Sequence, residues 1–278
     1  MPIDLYNGGM EHTTLHLLYS RFWNKVLFDL GFVPTAEPYA RRHSHGLIMA
    51  EDGAKMSKSK GNVVNPDDIV QEFGADTLRV YEMFMGPFEE PVPWSTNGVV
   101  GVRRFLDRIH GLVGENGRTG VGENATTTKL LHKTIKKITE DIEGFHFNTA
   151  ISALMIFVNA WQEQGASKET IETFLKILSP FAPHLAEECW AALGHTSCIV
   201  QEPWPAYDPA LIKDTEVTVA VQVNGKLRGT IVLAPDADEI SAVAAARADE
   251  NVQKYLGESA VKKVVYISGR MINFVIQA

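Results

Sequence analysis

Two short segments carry residue types that could do chemistry. In Ala54-Lys55-Met56-Ser57-Lys58-Ser59-Lys60-Gly61-Asn62, three ammonium groups are interleaved with small hydroxyl residues ahead of a glycine. Lys is a compact charge on a flexible stem with rotatable donors, so the run suits a ligand whose negative charge moves during a reaction, such as a triphosphate. The glycine spacing and Gly-Lys-Ser/Thr ending of a Walker loop are missing. On charge alone, a solvated surface run is the commoner reading of such a cluster. The second segment, Tyr6-Asn7-Gly8-Gly9-Met10-Glu11-His12, runs from a strand-like pair into two glycines and then a helix start bearing an acid and a histidine. Such a junction lets backbone approach a ligand closely, and Glu11 could accept hydrogen bonds from sugar hydroxyls. It reads as well as a plain Gly-rich connection in which Glu11 only favours the helix dipole and the histidines are packed.

Three regions with different periods must position these residues. Up to about residue 95, short strand-like runs alternate with Gly-rich loops and one helix, expected from about Glu11 to Leu30 and stopped by Gly31. His45 to Ala50 and Asn62 to Val64 are short apolar segments either side of the lysine loop, and Asn65-Pro66 opens a further helix. Residues 96–200 repeat apolar residues at helical spacing: Phe105, Ile109 and Leu112; Leu131, Ile135, Ile138 and Ile142; Ile151, Leu154, Met155, Val158 and Trp161; Ile171, Phe174, Leu175 and Leu178. Pro183 opens a fifth helix, which makes an antiparallel bundle. Residues 201–215 read as a Pro-containing linker. In 216–278 the period becomes two: Val217, Val219, Val221 and Val223 alternate with smaller or polar residues, Asn224-Gly225 predicts a hairpin turn, an Ala-rich helix spans about Asp238 to Tyr255, and two strands follow.

Composition sets limits. With 278 residues and 45% hydrophobic content, two or three ordinary domains are expected. No apolar run approaches the roughly 18–20 residues of a membrane span, and the opening Met1-Pro2-Ile3-Asp4 has no signal-peptide pattern, so no membrane partner and a cytoplasmic location are expected. Cys189 and Cys198 have no second pair, and Arg41-Arg42-His43-Ser44-His45 lacks companion ligands. No metal site is therefore expected, and Arg41 to His45 reads as a basic loop. The net charge of −8 argues mildly against nucleic acid, although local clusters can bind RNA on an acidic protein. Lys129, Lys133, Lys136 and Lys137 form such a cluster beside one apolar stripe, and equally a solvated helix face.

The literal string Lys55-Met56-Ser57-Lys58-Ser59 resembles the second signature of class I aminoacyl-tRNA synthetases. The stretch from Tyr6 to His12, continuing His16-Leu17-Leu18-Tyr19-Ser20-Arg21-Phe22, is most similar to leucyl-tRNA synthetases. The likeness continues through Phe73 to Arg79, His132-Lys133-Thr134, Phe147 to Ala150, Pro180 to His184 and Val221 to Arg228, so it covers essentially the whole chain. It implies a multidomain fold: a partial α/β Rossmann half with the KMSKS loop, an all-α anticodon-binding-type bundle, and a small α+β C-terminal tRNA-binding domain. It further implies that Lys55 and Lys58 are catalytic, meeting the ATP phosphates as pyrophosphate leaves. Gly8, Gly9, Glu11, Met56, Ser57 and Ser59 would complete the ATP contacts, and His12 or His16 would border the leucine pocket. Lys133, Lys136, Lys137, Lys226 and Arg228 would contact tRNA(Leu), mainly by shape and backbone. ATP with Mg2+ is the implied cofactor set.

The family's His-Ile-Gly-His-type motif, the first strands of the nucleotide fold and the editing domain are absent from these residues. One half of a nucleotide-binding sheet leaves an open edge and an incomplete pocket, so leucine activation is expected only with an N-terminal catalytic and editing portion, on a separate subunit or on the rest of a longer enzyme. The alternative is a non-catalytic tRNA-binding module, which would have no physical need for an intact lysine loop.

Overall fold

A computed structural model describes residues 1–114, 124–213, 217–257 and 261–276. The chain divides into two compact units, Met1–Asp208 and Pro209–Ala278.

The first unit begins with a two-stranded parallel ladder, β1 (Tyr6–Gly8) and β2 (Arg42–Ser44), with Asn7 opposite His43. The connection contains α1 (His16–Asp29), shorter than the helix expected from Glu11. Met10–Thr13 instead forms a 3-10 turn, because Gly9 at its start is extended and no side chain caps it. Leu30 closes α1 and Gly31 has φ +76°, as the stop signal required. Polar bonds hold α1: Asn24 donates to the carbonyls of Thr35 (2.9 Å) and Ala36 (3.0 Å), while Arg21 and Lys25 grip Glu37 at 2.7 and 2.9 Å. Those hydrogen bonds, Arg21's first, hold the Glu37 carboxyl down at about 2. The only buried residue of α1 is Asn24, while Phe22 and Trp23 are 61% and 62% exposed and Phe32 beyond it is 75% exposed.

A second parallel pair, β3 (Ile48–Met49) and β4 (Val92–Pro93), flanks the lysine loop, α2 (Pro66–Phe73) and α3 (Ala75–Phe84). Asn65 caps α2 by accepting from the Asp67 N–H at 3.3 Å. Asn62 to Val64, expected as an apolar segment, forms no strand. The bundle comprises α4 (Thr96–Val113), α5 (Ala125–Gly144), α6 (Phe147–Gln164), α7 (Lys168–Leu178) and α8 (Pro183–Ala192). Its apolar stripes meet in one core in which Ile109, Ile138, Leu154, Trp161 and Phe174 are fully buried. Leu78, Val80 and Tyr81 of α3 and Trp94 belong to that same core. Asp76, at the start of α3, fastens the far end of the bundle. Its Oδ2 accepts from the Leu185 N–H at 2.7 Å, in the first turn of α8, and its Oδ1 lies 2.8 Å from His184 Nδ1.

The expected linker is partly structural. Trp204 donates to Thr139 Oγ1 at 2.9 Å, Tyr207 lies over the Lys136 ammonium at 5.9 Å, and the Asp208 N–H donates to His132 Nδ1 at 3.0 Å. Residues 204–208 thus lie along α5. Residues 214 and 215 of that segment, and 216 at the start of the next, lie outside the described residues.

The second unit is a four-stranded sheet of order β6-β5-β8-β7, from β5 (Val217–Val223), β6 (Lys226–Leu233), β7 (Val261–Ile267) and β8 (Met271–Ile276). Two antiparallel hairpins join through the central parallel pair β5–β8. Asn224 (φ 50°) and Gly225 (φ 77°) make the predicted turn. The single Ala-rich helix is two, α9 (Glu239–Ala248) and α10 (Glu250–Leu256), broken at Asp249. Asp249 leaves the helical conformation (ψ 123°) and accepts from the N–H groups of Asn251 and Val252, both at 3.0 Å, which starts a new helix. Ala242, Ala246, Val252 and Leu256 cover the sheet face formed by Val219, Val221, Ile231, Ile272 and Phe274. No helix among the described residues is long and apolar enough to cross a membrane.

Replacing Asp76 by Ala strips the α8 N–H of Leu185 and the His184 ring of their partner at once. A loss of about 1 kcal/mol is expected, the net worth of a hydrogen bond to a part-buried donor. Thermal unfolding of the Asp76→Ala protein measures it, and an unchanged midpoint would show that the cap contributes nothing.

Candidate active site

The two chemistry-bearing segments both leave the carboxyl ends of parallel strands, where ligands bind open α/β sheets. At β1, the chain passes through Gly8 and Gly9, both buried, into the Met10–Thr13 turn. The Glu11 carboxylate folds back over Gly9, where a Cβ would collide with both of its oxygens. Glu11 is exposed, and His12 is half-buried with Nδ1 lacking a hydrogen-bond partner. His16, on the first turn of α1, lies 3.0 Å from the Tyr6 hydroxyl through Nδ1 and stacks on that ring at 5.6 Å.

Behind this turn stands β2. Arg42 donates to Thr13 Oγ1 at 3.0 Å and Ser44 to the Met10 sulfur at 3.4 Å. The stretch read as a basic loop is therefore a strand that fastens the glycine turn. Three residues are too few to show a period of two, so sequence patterning could not reveal it.

The lysine loop leaves β3 through a tight turn: the Ala50 N–H donates to Ala54 O and the Gly53 N–H to Ala50 O, both 2.8 Å. Met56 and Val64, on either side of the loop, pack against the bundle core. Asn62 closes the loop across its neck, accepting from the Ser57 N–H at 2.8 Å and donating to Lys55 O at 3.4 Å. Ser57 and Ser59 share a hydroxyl–hydroxyl bond of 2.7 Å, and Lys58–Lys60 form a 3-10 turn. Lys55, Lys58 and Lys60 are all exposed, and among the described residues none is paired with a carboxylate. The loop is thus tethered at its root and cationic at its tip. Asn62 is the working residue that charge patterning missed, since only its place just after Gly61 marks it. Among the described residues, no hydrogen bond or ion pair joins this loop to the glycine turn.

Lys133 and Lys136 are half-buried on α5, Lys136 3.9 Å from Glu140. Lys137 is committed to Asp141, whose other neighbours are Thr149 (2.7 Å) and the His146 ring (3.8 Å). In the second unit, Lys226 is exposed and the Arg228 guanidinium carbon sits 3.7 Å from the centroid of Tyr255. Strands β5 to β8 carry Lys226, Arg228, Lys262 and Lys263 and no acidic residue, whereas α9 and α10 with their caps carry Asp238, Glu239, Asp249 and Glu250.

Comparison with known proteins agrees along the whole chain. Residues 2–92 match the family of class I tRNA synthetases for isoleucine, leucine, methionine and valine. Residues 126–244 match the anticodon-binding domain of tRNA ligases. The leucine–tRNA ligase of Leptospira biflexa serovar Patoc (strain Patoc 1 / Ames) is 50% identical over 282 residues, which cover 99% of this chain and 32% of the relative. That of Chlorobium phaeobacteroides (strain BS1) is 48% identical, covering 100% of this chain and 35% of the relative. Along its whole length the chain is homologous to leucine–tRNA ligases. It corresponds to the C-terminal part of these ligases and spans about a third of the length of the curated relatives it matches. A solved leucyl-tRNA synthetase, in the ternary complex of Agrobacterium radiobacter K84 agnB2 LeuRS with tRNA and LeuAMS, superposes with a TM-score of 0.80 at 34% identity, covering 100% of this chain and 39% of that one. In this chain the mixed α/β part, the helical bundle and the small sheet domain follow in that order.

Asn62→Ala opens the neck of the lysine loop. The Ser57 amide should then exchange with solvent roughly tenfold faster, one net hydrogen bond's worth. Amide hydrogen exchange followed by NMR tests this, and an unaltered Ser57 rate would mean that Asn62 does not hold the loop.

Proposed function

We propose that this chain supplies the lysine-loop half of the ATP site and the tRNA-binding surfaces of a leucine–tRNA ligase. The enzyme would activate leucine with ATP to leucyl-adenylate and transfer it to tRNA(Leu). The observation that carries the reading is the loop itself: three ammonium groups, none paired with a carboxylate among the described residues, at the carboxyl end of a parallel strand, with the root tied into the core. Charge that develops on departing pyrophosphate is stabilised by such pre-positioned donors at little reorganisation cost. Lys58, in the 3-10 turn at the tip, and Lys55, at the neck, follow that charge, while Met56, Ser57 and Ser59 line the loop. Gly8 and Gly9 admit the adenosine closely, Glu11 accepts from its ribose, and His12 or His16 borders the leucine side chain. Mg2+ enters with the ATP phosphates. Residues 54–62 hold no carboxylate, and none of them is assigned to the metal.

The other half of the site comes from an N-terminal portion that carries the remaining nucleotide fold and the editing domain. The apolar face of α1, with Leu18, Phe22 and Trp23 more than half exposed, is the surface it covers. A boundary near residue 95 separates the nucleotide-fold half from the bundle. On the tRNA side, Lys133 and Lys136 on α5 and Lys226 and Arg228 on the acid-free sheet meet phosphates. The Arg228 guanidinium lies over the Tyr255 ring, which limits its freedom before a phosphate arrives. Lys137, whose ammonium also meets Asp141, joins Lys133 and Lys136 on the same helix. The cytoplasm, where translation proceeds, is the location this reading entails.

In the assembled enzyme, Lys58→Ala should slow leucine-dependent ATP–pyrophosphate exchange by roughly 10²–10³-fold, the usual effect of removing one charge-stabilising donor. tRNA(Leu) binding, measured by filter retention, should hold within twofold. Exchange at the wild-type rate would overturn the assignment of Lys58.

A further inference from the structure

We propose that Phe145, in the turn between α5 and α6, is a positioning residue for the ATP half-site, acting through His43. The inference rests on the function proposed above. Phe145 closes α5 in the left-handed region, with φ 60° and ψ 29°. Glycine is the ordinary occupant of that position, and a bulky residue there is an outlier. Such strain persists where surrounding contacts over-determine the conformation, and here the ring makes those contacts. It stacks on the His43 imidazole with centroids 4.1 Å apart and planes 20° apart. The Arg41 guanidinium lies 5.4 Å from its centre, and Phe88 and Phe147 each meet it at 5.4 Å.

His43 is the middle residue of β2, and alternate residues of a strand face opposite ways. Arg42 and Ser44, on the other side, grip Thr13 and Met10 of the turn that carries Glu11 and His12. The strand is therefore held between the bundle turn and the glycine turn. It also fixes the height of β1 through the Asn7–His43 pairing. A ring that fills the far side of β2 sets where Gly8, Gly9 and Glu11 stand. The His43 Nε2 faces the Glu89 carboxylate at 3.3 Å, so the imidazole is bounded by that acid as well as by the aromatic faces.

Substitution by glycine separates positioning from folding, because Phe145→Gly removes the ring while relieving the backbone. In the assembled enzyme, kcat/KM for ATP in leucine-dependent pyrophosphate exchange should fall by about 10- to 100-fold, as expected for a misplacement on the ångström scale. Phe145→Tyr should restore it, and the double variant with His43→Ala should be no worse than the poorer single one. A second measurement uses this chain alone: the His12 amide, which donates to Gly9 O at 3.1 Å, should exchange with solvent faster in Phe145→Gly than in the wild type. Normal kinetics with a normal His12 rate would overturn the proposal, as would a kinetic loss no greater than the loss of folded protein. If the wild-type assembly itself shows no exchange, the functional reading fails, and the His12 amide alone then decides whether Phe145 positions the turn.

Discussion

The first unit depends on one apolar core that does not stop at the edge of the helix bundle. Leu78, Val80, Tyr81 and Trp94 enter it from the segments around the strands, and Met56 and Val64 reach it from either side of the lysine loop. A cationic loop gains nothing from burial of its tip, since desolvating an unpaired ammonium is costly. It can be held in place only by its root. The core provides that root, and Asn62 draws the two sides of the loop together above it. The result is a charged tip that is free to follow a ligand, on a base that is not.

The opposite holds for the first fifty residues. From Met1 to Met49 no large apolar side chain is buried, and α1 is retained by Glu37 and Asn24 rather than by packing. Surface ion pairs of this kind contribute little each, whereas an exposed stripe of Leu, Phe and Trp is costly to leave in water. The two short strands are braced from the bundle side at β2, where Phe145 stacks on His43, while α1 keeps its apolar stripe exposed.

Much of this was legible in the residues. The bundle helices followed their apolar stripes because the period was sustained over several turns, and the Asn224-Gly225 hairpin followed from backbone chemistry that few residues satisfy. The literal lysine motif and its flanks pointed to the family that the comparisons bear out. What stayed hidden was set by tertiary contacts. The strand at Arg42–Ser44 is too short for a period and exists by pairing with β1. The break at Asp249 depends on a cap outcompeting an Ala-rich run. Lys137 reads as surface charge until Asp141 and Thr149 are placed beside it, and 201–208 reads as a linker until Trp204 and Tyr207 are seen against α5. The ring of Phe145 has no signal in sequence at all, because an aromatic at a helix end is unremarkable until its φ is known.

The central claim is that the lysine loop is a competent half of a site whose other half lies on an N-terminal portion. Leucine-dependent ATP–pyrophosphate exchange, measured on this chain alone and then with that portion added, tests it most directly. No exchange by the chain alone and exchange at enzymatic rates in the mixture are expected. Exchange by the chain alone, or none in a mixture that still binds tRNA(Leu), would contradict it.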